Sequence, residues 1–380
     1  MRIYTEAERL ALMTKDRRAL HRIPEFGYDL FKTRAYVRAV LEETGADRIE
    51  ACDEGIKAVY LAKDPARGAI AFRSDMDALR VEEQTTHDFR SEHPGLMHAC
   101  GHDGHMAALL MLARIVAGRR EELDRHVVLI FQPAEENLGG ALRMLRAGAF
   151  KDPEVTEVYG MHMMPQVPKG KIGIKPGPLM ALVENVDVTV TGRTSHGAQP
   201  HLGADAVAAA AQIVVSIQAG LSRCVDPMET RLFTIGTMQG GTIANIIADH
   251  AELHGTLRAY NDETAERVHE IIRAAIVGAD ALYGTHSEMD VSQSYPTVIN
   301  DPAATEKVRR LAGDQAVEVE PLAIAEDFSE YQRVAPGAFF FCGYGDEEHH
   351  MPLHSSSFDF DERALLTGAG LFEKLCFDRG

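Results

Sequence analysis

At 380 residues the chain exceeds what one hydrophobic core ordinarily serves, so two domains are expected. Apolar residues make up 45% and charged residues 25%, the balance of a folded globular chain and not of a disordered one. The 39 basic and 57 acidic residues leave a formal charge of −18, which argues against nucleic acid or an anionic membrane as partner, since either needs a basic face.

The N-terminal stretch from Met1 to Glu25 alternates charged and apolar residues at helical spacing and carries no apolar core of signal-peptide length. Nowhere is an uncharged run expected to approach a membrane span. Five scattered cysteines (Cys52, Cys100, Cys224, Cys342, Cys376) make no disulfide framework, so a reducing cytoplasm is the expected compartment. In that compartment an unusual cysteine is a metal ligand or a reactive thiol.

Several short apolar runs end abruptly in chemistry-capable residues. The strand from Ala69 to Phe72 leads to Asp75 and Asp77. A helix from about Gly104 to Arg119 is apolar nearly all round, which predicts burial. The run from Val127 to Phe131 leads to Glu135 and Glu136, and VTEVYGMHMMP runs into His162. Near-continuous apolar strands predict a parallel sheet covered on both faces, with polar residues gathered beyond its carboxyl ends.

The texture changes near Ala181. NVDVTVTG and ELHGTLRAY alternate with period two, and two long helical stretches accompany them. This β-α-β-β-α-β order predicts a compact α+β unit with an antiparallel sheet, ferredoxin-like, ending near Ser292. The chain then returns to apolar strands, a histidine-rich loop with His354, and a final helix. The expected fold is α/β: a mixed, largely parallel sheet flanked by helices over residues 1–181 and 292–380, interrupted by an inserted domain over 182–291.

Five segments supply candidate ligands: Cys100 and His102 in MHACGHDGH, Glu135 and Glu136 in QPAEE, His162 in GMHMMP, His354 in PLHSSSF, and Asp75 and Asp77 in SDMD. Singly, each has an ordinary explanation: a buried thiol beside a histidine, a solvated glutamate pair, a polar loop, local capping. Their joint placement at strand ends and connecting loops is harder to reach by chance. A dinuclear hydrolytic site needs several charge-neutralising ligands and one carboxylate free to act as base. Thiolate, imidazole and carboxylate together suit Zn²⁺, Co²⁺, Mn²⁺ or Ni²⁺ better than Mg²⁺ or Ca²⁺.

The stretches RSDMDAL, GLMHACGHDGHMAALL, LIFQPAEENLGGA, GMHMMP, GRTSHGAQPH, ANIIADHAELHGTLR, AEDFSEY and LHSSSFDFDE resemble, in order, the peptidase M20 family. The similarity is to its amidohydrolase branch of hippurate hydrolases, auxin-conjugate hydrolases and N-acyl-amino-acid deacetylases. It implies two divalent metal ions held by Cys100, His102, Glu136, His162 and His354, with the Cys100 thiolate as candidate bridge and Glu135 as general base. Asp75, Asp77 and Asp103 would orient ligands through hydrogen bonds. From the inserted lid or dimerisation domain, His196 would stabilise the developing oxyanion, and Asn245 and Arg258 would hold a substrate carboxylate. The implied substrate is a small N-acyl amino acid, and the implied assembly a homodimer or higher homo-oligomer formed through the lid.

Arg80, Thr86, Asn137 and Ala248 depart from the family's usual residues beside the site, which bears on substrate preference. Three other readings share parts of the pattern: a metallo-dipeptidase or carboxypeptidase, a thiol hydrolase with Cys100 as nucleophile and His102 as base, and a non-catalytic metal- or ligand-binding relative.

Overall fold

The computed structural model describes residues 3–136 and 139–379; Asn137 lies outside them. Two compact units emerge, one formed by Met1–Leu179, Ile299–Glu320 and Asp327–Gly380, the other by Met180–Val298 with Pro321–Glu326. The short return segment Pro321–Glu326 goes with the second unit, a partition that no composition shift announces.

The first unit is built on an eight-stranded sheet. Its four central strands, Arg125–Gln132, Arg67–Asp75, Val155–Pro168 and Gly337–Gly345, lie side by side in that order and pair in parallel. Antiparallel pairings occur outside them, at Arg48–Cys52 with Gly55–Tyr60, Gly55–Tyr60 with Arg125–Gln132, and Gly337–Gly345 with Ile172–Ile174. Gly55–Tyr60 is buried throughout and Gly337–Gly345 nearly so, as strands covered on both faces must be. The expected α/β class, mixed and parallel at its centre, is what the chain forms.

Helix Glu6–His21 starts at a capping box: Thr5 Oγ1 accepts from the Glu8 amide at 3.2 Å, and the Glu8 carboxylate accepts from the Thr5 amide at 2.8 Å. Glu6 and Glu8 in its first turn and Arg18 and His21 in its last suit the helix dipole. This helix carries Arg17 and His21 into the interior, where both are buried. Helix His102–Gly118 begins two residues earlier than the sequence predicts. Gly101 before it has φ +88°, and a Cβ there would lie 3.3 Å from the Phe358 ring. Glycine therefore permits the abrupt turn that brings His102 into the first helical position.

The second unit has four antiparallel strands in the order Arg231–Gly240, His250–Ala259, Leu182–Thr191 and His286–Tyr295. Helices Ala206–Cys224 and Asp262–Tyr283 complete a β-α-β-β-α-β sequence. Helix Ala206–Cys224 is long and apolar enough to cross a membrane, which corrects the expectation that no uncharged run approaches that length. Its buried residues, Ala206, Ala209, Ala210, Ile213, Ile217 and Leu221, recur at helical spacing and pack with Val186, Val188 and Leu253 of the sheet.

Candidate metal centre

The carboxyl ends of the central strands deliver the candidate ligands of the first unit to one place. His162 lies within Val155–Pro168, and Glu135 and Glu136 follow Arg125–Gln132 after Ala134, whose φ of +55° turns the chain sharply. His354 also has positive φ, +66°, and its amide donates to the Ala99 carbonyl at 2.8 Å, which ties its loop to the Cys100 segment. Non-glycine residues in this region cost roughly 1–3 kcal/mol each and concentrate at functional sites.

Cys100 Sγ lies 3.4 Å from His162 Nε2 and 3.3 Å from His354 Nε2. Glu136 Oε1 lies 3.4 Å from His354 Nε2 and 3.7 Å from His102 Nε2. Donor atoms of Cys100, His102 and His162 all fall within 4.8 Å of one another, as do those of Cys100, Glu136 and His354. The two groups share Cys100. Both have the composition a divalent cation of the zinc type takes.

Two buried atoms here, His102 Nε2 and Glu136 Oε1, have no hydrogen-bond partner among the described residues. Orphaned buried polar atoms are rare and costly, and a cation would satisfy both. Tautomers agree: His102 Nδ1 donates to the Asp77 carbonyl and His162 Nδ1 to the Met163 carbonyl, each at 2.8 Å, which aims both Nε2 atoms inward.

The electrostatics also call for positive charge. Burial, with Glu136 and Glu135 adding to it, holds the Cys100 thiol well above its usual range. Burial works against a charged His102, yet Asp75, Asp77 and Glu136 raise it to about 10. Burial and the neighbouring His105 lower His162 to about 3, so its imidazole stays neutral. A surplus of buried carboxylate that keeps protons on a thiol and an imidazole would be relieved by divalent cations.

Asp77 accepts from the Glu135 amide at 3.0 Å and the Glu136 amide at 3.2 Å, and so fixes the backbone that presents the two glutamates. Asp75 accepts from His105 Nδ1 at 2.7 Å and lies 3.7 Å from His102 Nε2. The expectation that Asp103 orients a ligand needs correction. Its carboxylate turns to His21 Nδ1 at 2.8 Å and Arg17 Nε at 3.4 Å. Successive helical residues point about 100° apart, so Asp103 cannot share the face of His102. His105, one turn after His102, joins Asp75 and His102 here although no motif singled it out; His-x-x-His on one helix gives a shared face.

The Asp103 network has its own consequence. Burial lowers the His21 pKa, but hydrogen bonds to Asp103 and Glu83 outweigh it and raise the value to about 9. The folded value lies above the ordinary one of about 6.5, so this contribution is complete below about pH 6.5 and lost as pH rises toward 9. Chemical denaturation of His21→Gln and the parent should differ most at pH 6 and converge by pH 9, with a change of up to about 3 kcal/mol in their difference. A pH-independent difference would contradict it.

In the second unit, His196 pairs with Ile246 in a two-stranded ribbon, and the Gly197 amide donates to the Asn245 carbonyl at 2.8 Å. His196 and Asn245 are exposed. Arg258, on strand His250–Ala259, is half-buried, and its guanidinium donates to the Leu257 carbonyl at 3.1 Å. Burial lowers its pKa, and no carboxylate pairs with it among the described residues.

The Peptidase family M20/M25/M40 model matches residues 71–378, most of the chain. This chain belongs to that family. It is 38% identical over 368 residues to N-acetylcysteine deacetylase of Bacillus subtilis, covering 94% of each chain. It is 35% identical to thermostable carboxypeptidase 1 of Saccharolobus solfataricus, covering 93% of this chain and 91% of that one. Among solved structures, a dinuclear metal-binding M20 peptidase of Bacillus subtilis superposes with a TM-score of 0.85 at 33% identity, covering 97% of this chain and 98% of the other. M20 membership turns the resemblance carried by the motifs into a result.

Proposed function

We propose that this chain hydrolyses the amide bond of N-acyl amino acids, N-acetyl amino acids among them, to a carboxylate and a free amino acid, and that it uses two divalent cations to do so. The observation that carries the proposal is the convergence of Cys100, His102, Glu136, His162 and His354 into two candidate ligand groups sharing one thiol, with two buried atoms that make no hydrogen bond among the described residues. The B. subtilis deacetylase supports the substrate class. Divalent cations between these groups would polarise the acyl carbonyl and acidify water.

The chain's own residues supply the rest. Glu135 takes the proton of the attacking water and returns it to the leaving amine, while Asp77 keeps its backbone in place. His196 donates to the developing oxyanion, and Asn245 with Arg258 holds the α-carboxylate. Arg258→Ala should raise KM for an N-acetyl amino acid at least about tenfold with kcat changed far less, the cost of a lost charge-assisted hydrogen bond. Unchanged KM would remove Arg258 from the substrate site. We propose that the second unit serves as lid and dimer contact and that His196 acts on the partner's site; a mixture of His196→Ala and Glu135→Gln chains should then regain activity after subunit exchange. The free thiols suit a reducing cytoplasm.

Assaying a panel of N-acyl amino acids with Mn²⁺, Co²⁺, Ni²⁺ and Zn²⁺ in turn tests the main reading, and no turnover with any pairing would refute it. The carboxypeptidase relative favours a second reading, cleavage of small peptides. A dipeptide cleaved faster than the N-acetyl form of its C-terminal residue would select that reading.

A further inference from the structure

The ligand set leaves unexplained a chain of buried polar groups behind it. Arg73 is 1% exposed and Asp327 and Gln132 are fully buried. Arg73 donates from Nε to Gln132 Oε1 at 2.9 Å, from Nη1 to Asp75 Oδ2 at 2.8 Å and from Nη2 to Asp327 Oδ1 at 3.0 Å. Gln132 Nε2 and the Ala141 amide also donate to Asp327, at 2.8 and 3.0 Å. Asp75 thus has one oxygen committed to Arg73, and its other oxygen faces His105 Nδ1 at 2.7 Å. His105 Nε2 lies 2.8 Å from the Met163 amide. An amide nitrogen can only donate, so Nε2 accepts and the proton of His105 sits on Nδ1, directed at Asp75. The Met163 carbonyl, in turn, accepts from His162 Nδ1.

We infer that His105 is a positioning residue for His162: held by Asp75, which Arg73, itself braced by Asp327, fixes from behind, it clamps the backbone of Met163, whose carbonyl sets the tautomer and aim of the His162 imidazole. Burying two carboxylates and a guanidinium is expensive unless every member is satisfied, so such an assembly is retained where it specifies a geometry. The Met163 backbone transmits that geometry because its N–H is held by His105 and its C=O, one residue's span away, orients His162. His105 touches neither of the cation-facing atoms Cys100 Sγ and His354 Nε2 by hydrogen bond, so its effect would reach the site through His162. The inference rests on the proposal that His162 is a metal ligand.

Chelator-stripped protein titrated with Zn²⁺ against a competing indicator, with Co²⁺ absorption spectra recorded in parallel, reads this directly. His105→Leu removes both ends of the clamp; His105→Asn keeps a donor toward Asp75 but is too short to reach the Met163 amide. Each should weaken one of two bound cations about 10- to 100-fold, leave the other unchanged, and alter the Co²⁺ ligand-field bands. If His105→Leu does not fold, His105→Asn decides. Wild-type affinity for both cations with an unchanged Co²⁺ spectrum would overturn the inference. A parent protein that binds fewer than two ions, or His162→Ala that binds two at full strength, would instead overturn the ligand assignment itself.

Discussion

Glu135→Gln should lower kcat by about 10²–10⁴-fold while two divalent cations stay bound. The substitution is nearly isosteric, and the residue's backbone amide remains held by Asp77, so neither the loop nor the neighbouring Glu136 need move. What disappears is a carboxylate able to accept a proton from water and give it back to the amine. Glu135 is buried beside Glu136 and within reach of His102, where a carboxylate could either take a proton or hold a cation, so metal content decides between the two roles. Metal content by plasma emission and turnover of an N-acetyl amino acid should therefore separate cleanly. Wild-type rates would show that another group is the base; loss of metal along with activity would make Glu135 a ligand.

Cys100→Ala should have the opposite signature, with metal lost first. Cys100 belongs to both ligand groups, so its removal weakens two cation positions together. The cost should exceed the roughly 10–100-fold that loss of a supporting residue causes. A thiol hydrolase would behave differently, since the variant would be inactive at full metal loading. The geometry already speaks against that chemistry: His102 Nδ1 is engaged by the Asp77 carbonyl, and its Nε2 faces Asp75 and Glu136. Full occupancy in Cys100→Ala with activity abolished would favour the nucleophile.

The site was legible in the sequence to the extent that its residues sit in short local motifs. Glu135 and Glu136 follow one apolar run, His162 ends another, and Cys100, His102 and His354 sit in short histidine-containing segments; near-continuous apolar runs placed the strands. Among the supporting residues Asp75 and Asp77 were legible through the resemblance, but their more distant partners were not, because those pairs lie far apart in the chain. Arg73 meets Asp327 across 254 positions, and Arg17 meets Asp103 across 86. No local pattern encodes such a partner. Asp103 was misdirected for a simpler reason, since adjacency to His102 in sequence means divergence on a helix. The early start of helix His102–Gly118 depended on the left-handed Gly101, a conformation that glycine permits but does not announce. The long helix at Ala206–Cys224 was legible, whereas its membrane-like length and composition are accounted for by an apolar face occupied within its own unit.

Cation stoichiometry with position tests the central claim most directly. Crystals of metal-loaded protein, with anomalous scattering collected at the Zn edge, should show two peaks per chain, one bounded by Cys100, His102 and His162 and the other by Cys100, Glu136 and His354. A single peak, or two peaks with Cys100 bound to neither, would contradict it.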